Sequence, residues 1–471
     1  MKKEILRINN LNYEYAEARK LKNISLCILE GECVGFFGLA YSGKDLLVRL
    51  LNGEAEEGAQ DYFVYIDGRK VNGQALREMV YHMTESNFMI DDWTVAEYIG
   101  LVNAGWWGMV FRKRSLEEEI RQYFEKLSID IDVGRVLKDL TEFEKRIVDL
   151  AKAIRRGARL AVIEDEFEGM TQDAMETFAA TMKRLTKGRM AVIVNSHSNM
   201  VLSTLSDKYV IFSRGHIVKK CSKSYIRDMA HLESFFIGDS GIYGGILPKS
   251  RLPGQPAGRD TVYRVCGVRL QKERREDFCF ARGEAVTFLV LDRRRKERLF
   301  TLFSGREGEE GVYYMLEDER YDRISIDVPA RKKIVSIRHL GGMDEIFAEM
   351  TVGENLLLPS LDKISSLEYI TSSGGFSRML TQDMVVGEAE QDRAARNLGI
   401  NDRIGMTLER WYIYNPLALV LFEPFAQCDA YGVSIVRSYI RKFTARGASV
   451  IMIKSRDEYV EDISDRIVNI D

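Results

Sequence analysis

Gly38-Leu39-Ala40-Tyr41-Ser42-Gly43-Lys44-Asp45 is the stretch of this chain best equipped for chemistry. A G-x-x-x-x-G-K loop wraps phosphates with backbone N–H groups, and its lysine reaches the outer phosphate oxygens. Glycines are needed because the loop takes unusual φ/ψ and brings backbone close to phosphate. The next residue is ordinarily Ser or Thr, whose hydroxyl ligates Mg²⁺; here it is Asp45. Such a site also needs a metal-directing carboxylate and a group that handles water. The run Ala161-Val162-Ile163 ending in Glu164-Asp165-Glu166 offers both, Asp165 holding Mg²⁺ through its water shell and Glu166 polarising the attacking water. A second apolar run, Ala191 to Val194, ends at Asn195-Ser196-His197, an imidazole placed to contact a γ-phosphate. Tyr15, in Asn12-Tyr13-Glu14-Tyr15, is suited to stacking on a base. Singly these are a turn, a solvated strand end, a surface or cap histidine and a packing ring. Their order within one domain favours the joint reading.

Elements must hold these groups in place. The segment Gly31 to Asp45 reads as a buried strand running into the loop. Throughout, short apolar strands alternate with amphipathic helix-length segments such as Met175 to Leu185 and Val433 to Phe443, the pattern of an α/β fold with a largely parallel sheet. The pattern also occurs twice. Gly31-Glu32 recurs as Gly283-Glu284, Trp93-Thr94-Val95-Ala96-Glu97 as Met350-Thr351-Val352-Gly353-Glu354, and Leu160 to Glu166 as Leu417 to Glu423. The strand Ala191 to Val194 recurs as Ser449 to Ile453. Four landmarks in one order at nearly constant spacing mark a duplicated domain. Between the copies, a Gly/Pro-rich stretch holds Pro248, Pro253 and Pro256 of the seven prolines. The expected division is a first domain over 1–237, a linker over 238–261 and a second domain over 262–471.

Composition narrows the function. With 68 basic and 71 acidic residues the net charge is −3, which argues against a nucleic-acid binder. Six scattered cysteines without C-x-x-C spacing read as buried thiols of a reducing compartment. No run of about 18 apolar residues is present to span a membrane, and the N-terminus turns polar too soon for a signal peptide. A soluble cytoplasmic protein is expected.

In this order and spacing the motifs resemble an ATP-binding cassette (ABC), and the tandem organisation resembles the ATPase subunit of ribose/galactose-type sugar importers over nearly the whole chain. The resemblance implies two P-loop NTPase domains, each a mostly parallel sheet with a helical subdomain. It makes Lys44 the Walker A lysine within Gly38, Ser42, Gly43, Lys44 and Asp45. Asp165 becomes the Walker B aspartate, a metal site shared with Asp45, Glu166 the catalytic glutamate, His197 the switch histidine and Tyr15 the adenine-stacking aromatic. It implies ATP and Mg²⁺ as cofactors and integral-membrane permease subunits with a separate sugar-binding protein as partners. A homodimer is allowed, nucleic acid is not expected, and the location is the inner face of the cell membrane.

The departures from that family are equally specific. The Q-loop glutamine falls on Glu85, and the first signature, ordinarily L-S-G-G-Q, on Leu140-Thr141-Glu142-Phe143-Glu144. The second Walker A reads Val290-Leu291-Asp292-Arg293-Arg294-Arg295-Lys296-Glu297 without a glycine; its arginines read first as a solvated basic turn. Phe422 replaces the second Walker B aspartate beside Glu423, Ser455 replaces the histidine, and the second signature falls on Leu398-Gly399-Ile400-Asn401-Asp402. The second Walker A site is expected to be dead. At about 4 Å and an effective dielectric near 20, Asp45 repels one phosphate charge by ~4 kcal/mol and attracts Mg²⁺ about twice as strongly. ATP binding is therefore expected to depend steeply on Mg²⁺. Trp106-Trp107-Gly108-Met109-Val110-Phe111 is either core of a helical subdomain or a docking patch. Two functions follow: a sugar-transporter ATP-binding subunit, or an impaired pseudo-ATPase acting as a nucleotide-sensing regulatory or scaffold subunit.

Overall fold

Strands whose two faces are both apolar need cover on both sides, and each half of the chain provides it. A computed structural model describes residues 3–15, 19–39, 42–54, 64–84, 90, 92–100, 113–164, 167, 170–226, 260–271, 274–306, 309–324, 333–360 and 394–470. The chain divides into two compact units, Met1–Ser240 and Gly241–Asp471.

The strands of the first unit are β1 (Glu4–Tyr15), β2 (Arg19–Leu29), β3 (Cys33–Phe37), β4 (Val64–Ile66) and β5 (Arg69–Lys70), followed by β6 (Val80–Met83), β7 (Leu160–Glu164), β8 (Ala191–Asn195), β9 (Lys208–Ser213) and β10 (His216–Ser222). They form an antiparallel sheet in the order β2-β1-β4-β5 and a six-stranded sheet in the order β10-β9-β3-β8-β7-β6. In the larger sheet only the β10–β9 edge pair is antiparallel. The described α-helices of this unit are α1 (Lys44–Leu51), α2 (Gly73–Met79), α3 (Val95–Gly100), α4 (Lys113–Leu127), α5 (Glu142–Arg155), α6 (Gln172–Thr186) and α7 (Asn199–Leu205). Side chains alternate across the sheet with period two. Phe37, Ala161, Ile163, Val192 and Val194 join one apolar cluster. Val34, Phe36, Leu160, Val162 and Ile193 join the other. Each fully buried aliphatic side chain contributes roughly 1.5–3 kcal/mol, so both faces resist a register slip.

The second unit repeats the plan with β11 (Thr261–Gln271), β12 (Arg274–Ala281), β13 (Ala285–Leu289), β14 (Tyr313–Leu316), β15 (Glu319–Tyr321), β16 (Ile334–Ile337), β17 (Ala418–Phe422), β18 (Ser449–Lys454) and β19 (Arg466–Asn469). β12-β11-β14-β15 is antiparallel, and β16-β17-β18-β13-β19 is parallel throughout. Its described α-helices are α8 (Arg293–Phe303), α9 (Val352–Leu357), α10 (Ile400–Tyr414) and α11 (Ala430–Ala445). Among the described residues no helix is long and apolar enough to cross a membrane.

The duplicated phrases have structural causes. In Thr94-x-x-Glu97 the threonine hydroxyl accepts the Glu97 N–H at 3.2 Å, and the Glu97 carboxylate accepts the Thr94 N–H at 2.8 Å. Thr351 and Glu354 make the same pair at 3.2 and 2.8 Å. Each is a capping box that starts a short helix. Likewise Glu32 accepts the N–H of Leu29, and Glu284 that of Ala281, closing the turns that carry the chain from one sheet to the next into β3 and β13.

Candidate functional site

β3 ends at Phe37, and the loop begins at Gly38. A Cβ on Gly38 would stand 2.3 Å from the Ser42 Oγ, so only glycine lets the loop fold back this tightly. Gly43 has φ +104°, and a Cβ there would meet Leu21 at 2.9 Å; both facts demand glycine. The loop is fastened by backbone hydrogen bonds, one within it and one from the β9–β10 turn. The Ser42 N–H donates to the Leu39 carbonyl at 3.0 Å, and the Gly215 N–H donates to the Ser42 carbonyl at 2.9 Å. α1 then begins at Lys44 with no side-chain cap on its N-terminus.

Lys44 is fully buried, and its Nζ donates to the Ser196 carbonyl at 2.8 Å. Parallel pairing of β3 with β8 sets Phe36 opposite Asn195, which brings Asn195-Ser196-His197 to the same sheet edge as the loop. Asp45 is half-buried and accepts from the Asn195 Nδ2 at 3.0 Å. Ser42 and Asn195 are 4 % and 7 % exposed, and their Oγ and Oδ1 have no hydrogen-bond partner. Leaving such a group unsatisfied costs roughly 1–3 kcal/mol, which a protein tolerates where a ligand supplies the partner. The donors available are carboxylate, amide and hydroxyl oxygens, the hard set that suits Mg²⁺.

The structure thus brings together Gly38, Ser42, Gly43, Lys44 and Asp45 with the segment carrying His197, itself half-buried. Tyr15 closes β1 opposite Arg19 in the backbone ladder, while its side chain lies outside the described residues. Asp165, Glu166, Glu85 and Trp106 to Phe111 also lie outside them. Just before Asp165, the Glu164 carboxylate stands 3.3 Å from the His82 ring, whose other nitrogen is 2.8 Å from Asn52 at the end of α1. That link between strand end and loop helix was hidden in sequence because its members are far apart.

The first signature position is a self-contained helix start. Thr141 caps α5, and Glu144 returns the bond to the Thr141 N–H at 2.8 Å. Arg135 binds both Glu144 oxygens, and Lys145 pairs with Glu142 at 2.8 Å. Glu142 and Glu144, whose charge would repel a phosphate, are thus each paired with a local cation, and the Thr141 and Glu144 N–H groups are bonded within the capping box. In the second unit Gly399 occupies the equivalent position before α10 with no side-chain cap.

The second loop has been filled by protein. α8 starts at Arg293, and Asp292 accepts the Arg295 N–H at 2.7 Å, placing a carboxylate at the helix N-terminus. Arg293, Arg294 and Arg295 are exposed, solvated as expected, but they form the first turn of α8 in place of a separate basic turn. Lys296, in the loop-lysine position, is fully buried and donates to Glu423 Oε1 and Ser455 Oγ, each at 2.7 Å. The Ser455 N–H and hydroxyl also donate to Glu423 Oε1 at 2.7 Å. Burial would raise the Glu423 carboxyl, but the Lys296 charge and these hydrogen bonds hold it below the ordinary carboxylate range. Phe422 packs edge-on against Phe300 at 5.3 Å where the metal-directing aspartate would stand. An internal carboxylate and an aromatic ring occupy what phosphate and metal would need.

A strand, a glycine loop and a lysine-bearing helix on a mostly parallel sheet define a P-loop NTPase of the cassette type. Residues 21–167 match the family described as ABC transporter. The chain is 24 % identical to the Ribose import ATP-binding protein RbsA of Geobacillus kaustophilus (strain HTA426), over 95 % of this chain and 91 % of the relative. It is 20 % identical to the Xylose import ATP-binding protein XylG of the same organism, over 99 % and 94 %. Among solved structures, the complex of archaeal ribosomal stalk protein aP1 with ribosome recycling factor aABCE1 gives a TM-score of 0.57 at 17 % identity. It covers 98 % of this chain and 87 % of that one, a likeness of fold alone. Residues 21–167 thus carry the ABC transporter match, and over nearly its whole length the chain is similar to sugar-import ATP-binding proteins.

Proposed function

We propose that this protein is the ATP-binding subunit of a sugar-type ABC importer, binding Mg-ATP in a first cassette over 1–237 and coupling it to integral-membrane permease subunits. The second cassette, over 262–471 beyond a linker at 238–261, holds no nucleotide in its own loop. One contrast carries the reading. Around Lys44 the glycine loop is intact and buried polar atoms of Ser42 and Asn195 lack partners, whereas the counterpart Lys296 is paired with Glu423. Gly38, Ser42 and Gly43 would cradle phosphate, Lys44 would neutralise it, Asp45 and Asp165 would hold Mg²⁺, and Tyr15 would stack on adenine. Glu166 and His197 would orient water and the γ-phosphate. Bound Mg²⁺ would supply charge neutralisation between phosphate and carboxylates. A separate sugar-binding protein and a location on the inner membrane face come with this reading.

The self-capped start of α5 favours a second reading, a subunit that binds ATP and turns it over poorly, acting as a regulator or scaffold. Calorimetric titration of Mg-ATP beside Lys44→Ala tests the first step: one site per chain, lost in the variant, is expected. No binding in either protein would remove the transport-motor reading. Single-turnover hydrolysis then separates motor from regulator.

A further inference from the structure

We propose that Asn195 is a further residue of the nucleotide site. It positions the Asp45 carboxylate and offers its own amide oxygen to the divalent cation that enters with the nucleotide. The pair together replaces the hydroxyl that usually follows the loop lysine. The inference rests on the reading of the first cassette as an ATP site, and it names what sets the cation dependence there.

Asn195 is an unexpected residue for its place. It ends a strand, Ala191 to Asn195, whose other members are all apolar and buried. Its backbone is clamped between Phe36 of β3 and Glu164 of β7, so the side chain has a fixed origin. It is 7 % exposed. Its Nδ2 donates to Asp45 at 3.0 Å, across 150 positions of sequence. That contact fixes the amide's sense, because the reverse would set its oxygen against a carboxylate oxygen. The Oδ1 is thereby turned away from Asp45 and has no partner. An apolar residue would leave no oxygen unsatisfied, so the Oδ1 answers to a partner outside the fold. Ser42 Oγ, on the same loop, is likewise buried without a partner.

Physically, Asp45 adds a negative charge where a neutral hydroxyl would be, which opposes bare ATP and favours the cation complex. A carboxylate free to rotate would forfeit much of that selectivity. The amide holds it, and a neutral oxygen beside it adds a hard ligand without further repulsion of phosphate.

The test is ATP titration by calorimetry on the full chain, with Mg²⁺ and with excess chelator. Wild type, Asn195→Leu, Asn195→Ala, Asp45→Ser and Lys44→Ala are compared, with melting temperature recorded for each. Wild type should bind ATP at least about tenfold more tightly with Mg²⁺, and this ratio should fall at least about threefold in Asn195→Leu. Asp45→Ser should raise the affinity for metal-free ATP. The Asn195→Leu apoprotein should melt close to wild type, since removing an unsatisfied buried amide oxygen offsets the lost hydrogen bond to Asp45; a purely structural asparagine would lower the melting point clearly. If the leucine does not fold, Asn195→Ala carries the same comparison. ATP binding with an unchanged Mg²⁺ ratio in both Asn195 variants overturns the inference alone. Absence of ATP binding in wild type overturns both it and the proposed function.

Discussion

Two lysines in equivalent positions have different described contacts. Lys44 sits behind a glycine loop and donates to a neutral carbonyl, that of Ser196. Lys296 is held in a ring with Glu423 and Ser455. Removing one partner from a buried pair leaves an uncompensated charge, at a typical cost of about 3–5 kcal/mol, whereas replacing both is far milder. Lys296→Met should therefore destabilise the second unit by about that amount, and adding Glu423→Gln should recover at least half. Denaturant unfolding of the three proteins checks this; a double variant no better than the single would mean the pair is not the source. The pH dependence follows from the depressed Glu423 carboxyl. A group whose folded pKa lies below its unfolded one contributes fully above the ordinary glutamate value of about 4.3, and loses that contribution as pH falls through the folded value. Wild-type stability should thus fall more steeply below about pH 4 than that of the double variant. Parallel acid titrations would remove Glu423 from the account.

At the level of elements, short helices depend on their starts. α3 and α9 are six residues each and begin with capping boxes from Thr94 and Thr351. Loss of a threonine cap costs about 1 kcal/mol, or about 2–4 °C in a unit of this size. Thr94→Val and Thr351→Val should each lower the midpoint of their own unit by that much, read by thermal unfolding; no shift in either would show that these helix starts do not hold in solution. These boxes also explain what sequence could reveal. T-V-x-E was visible as a repeat because its bonds are local, spanning three residues. The Gly-Glu turns, the glycine loop and the strands with buried faces were legible for the same reason: period and neighbours decide them. The Asn195–Asp45 and Lys296–Glu423 contacts join residues 150 and 127 positions apart, and no local pattern announces either. Asn195 was visible as a polar break after four apolar residues, a signal without a partner. Phe422 for aspartate was legible as a loss; that its neighbour Glu423 substitutes for an anion needed the fold.

At the scale of the chain, two units carry unequal sites on separate foundations. Among the described residues, the apolar clusters around β3, β7 and β8 draw on the first unit, and those around β13, β17 and β18 on the second. Each unit therefore has its own core to lose, and thermal unfolding should show two transitions. A ligand that binds one folded unit stabilises it by RT ln(1 + [L]/Kd), about 2.7 kcal/mol at a hundredfold excess over Kd. For a unit of this size that is a rise of about 5–10 °C. Mg-ATP should raise one transition and leave the other in place. Lys44→Ala should abolish the rise, while Lys296→Met should lower the transition that ATP does not move. The two substitutions label the units independently, so the assignment does not rely on ATP itself. A rise in both transitions that survives Lys44→Ala would place nucleotide in the second unit and contradict the internal pairing of Lys296. A single cooperative transition would mean that the units share stability through contacts between them, and that nucleotide in the first is felt energetically by the second.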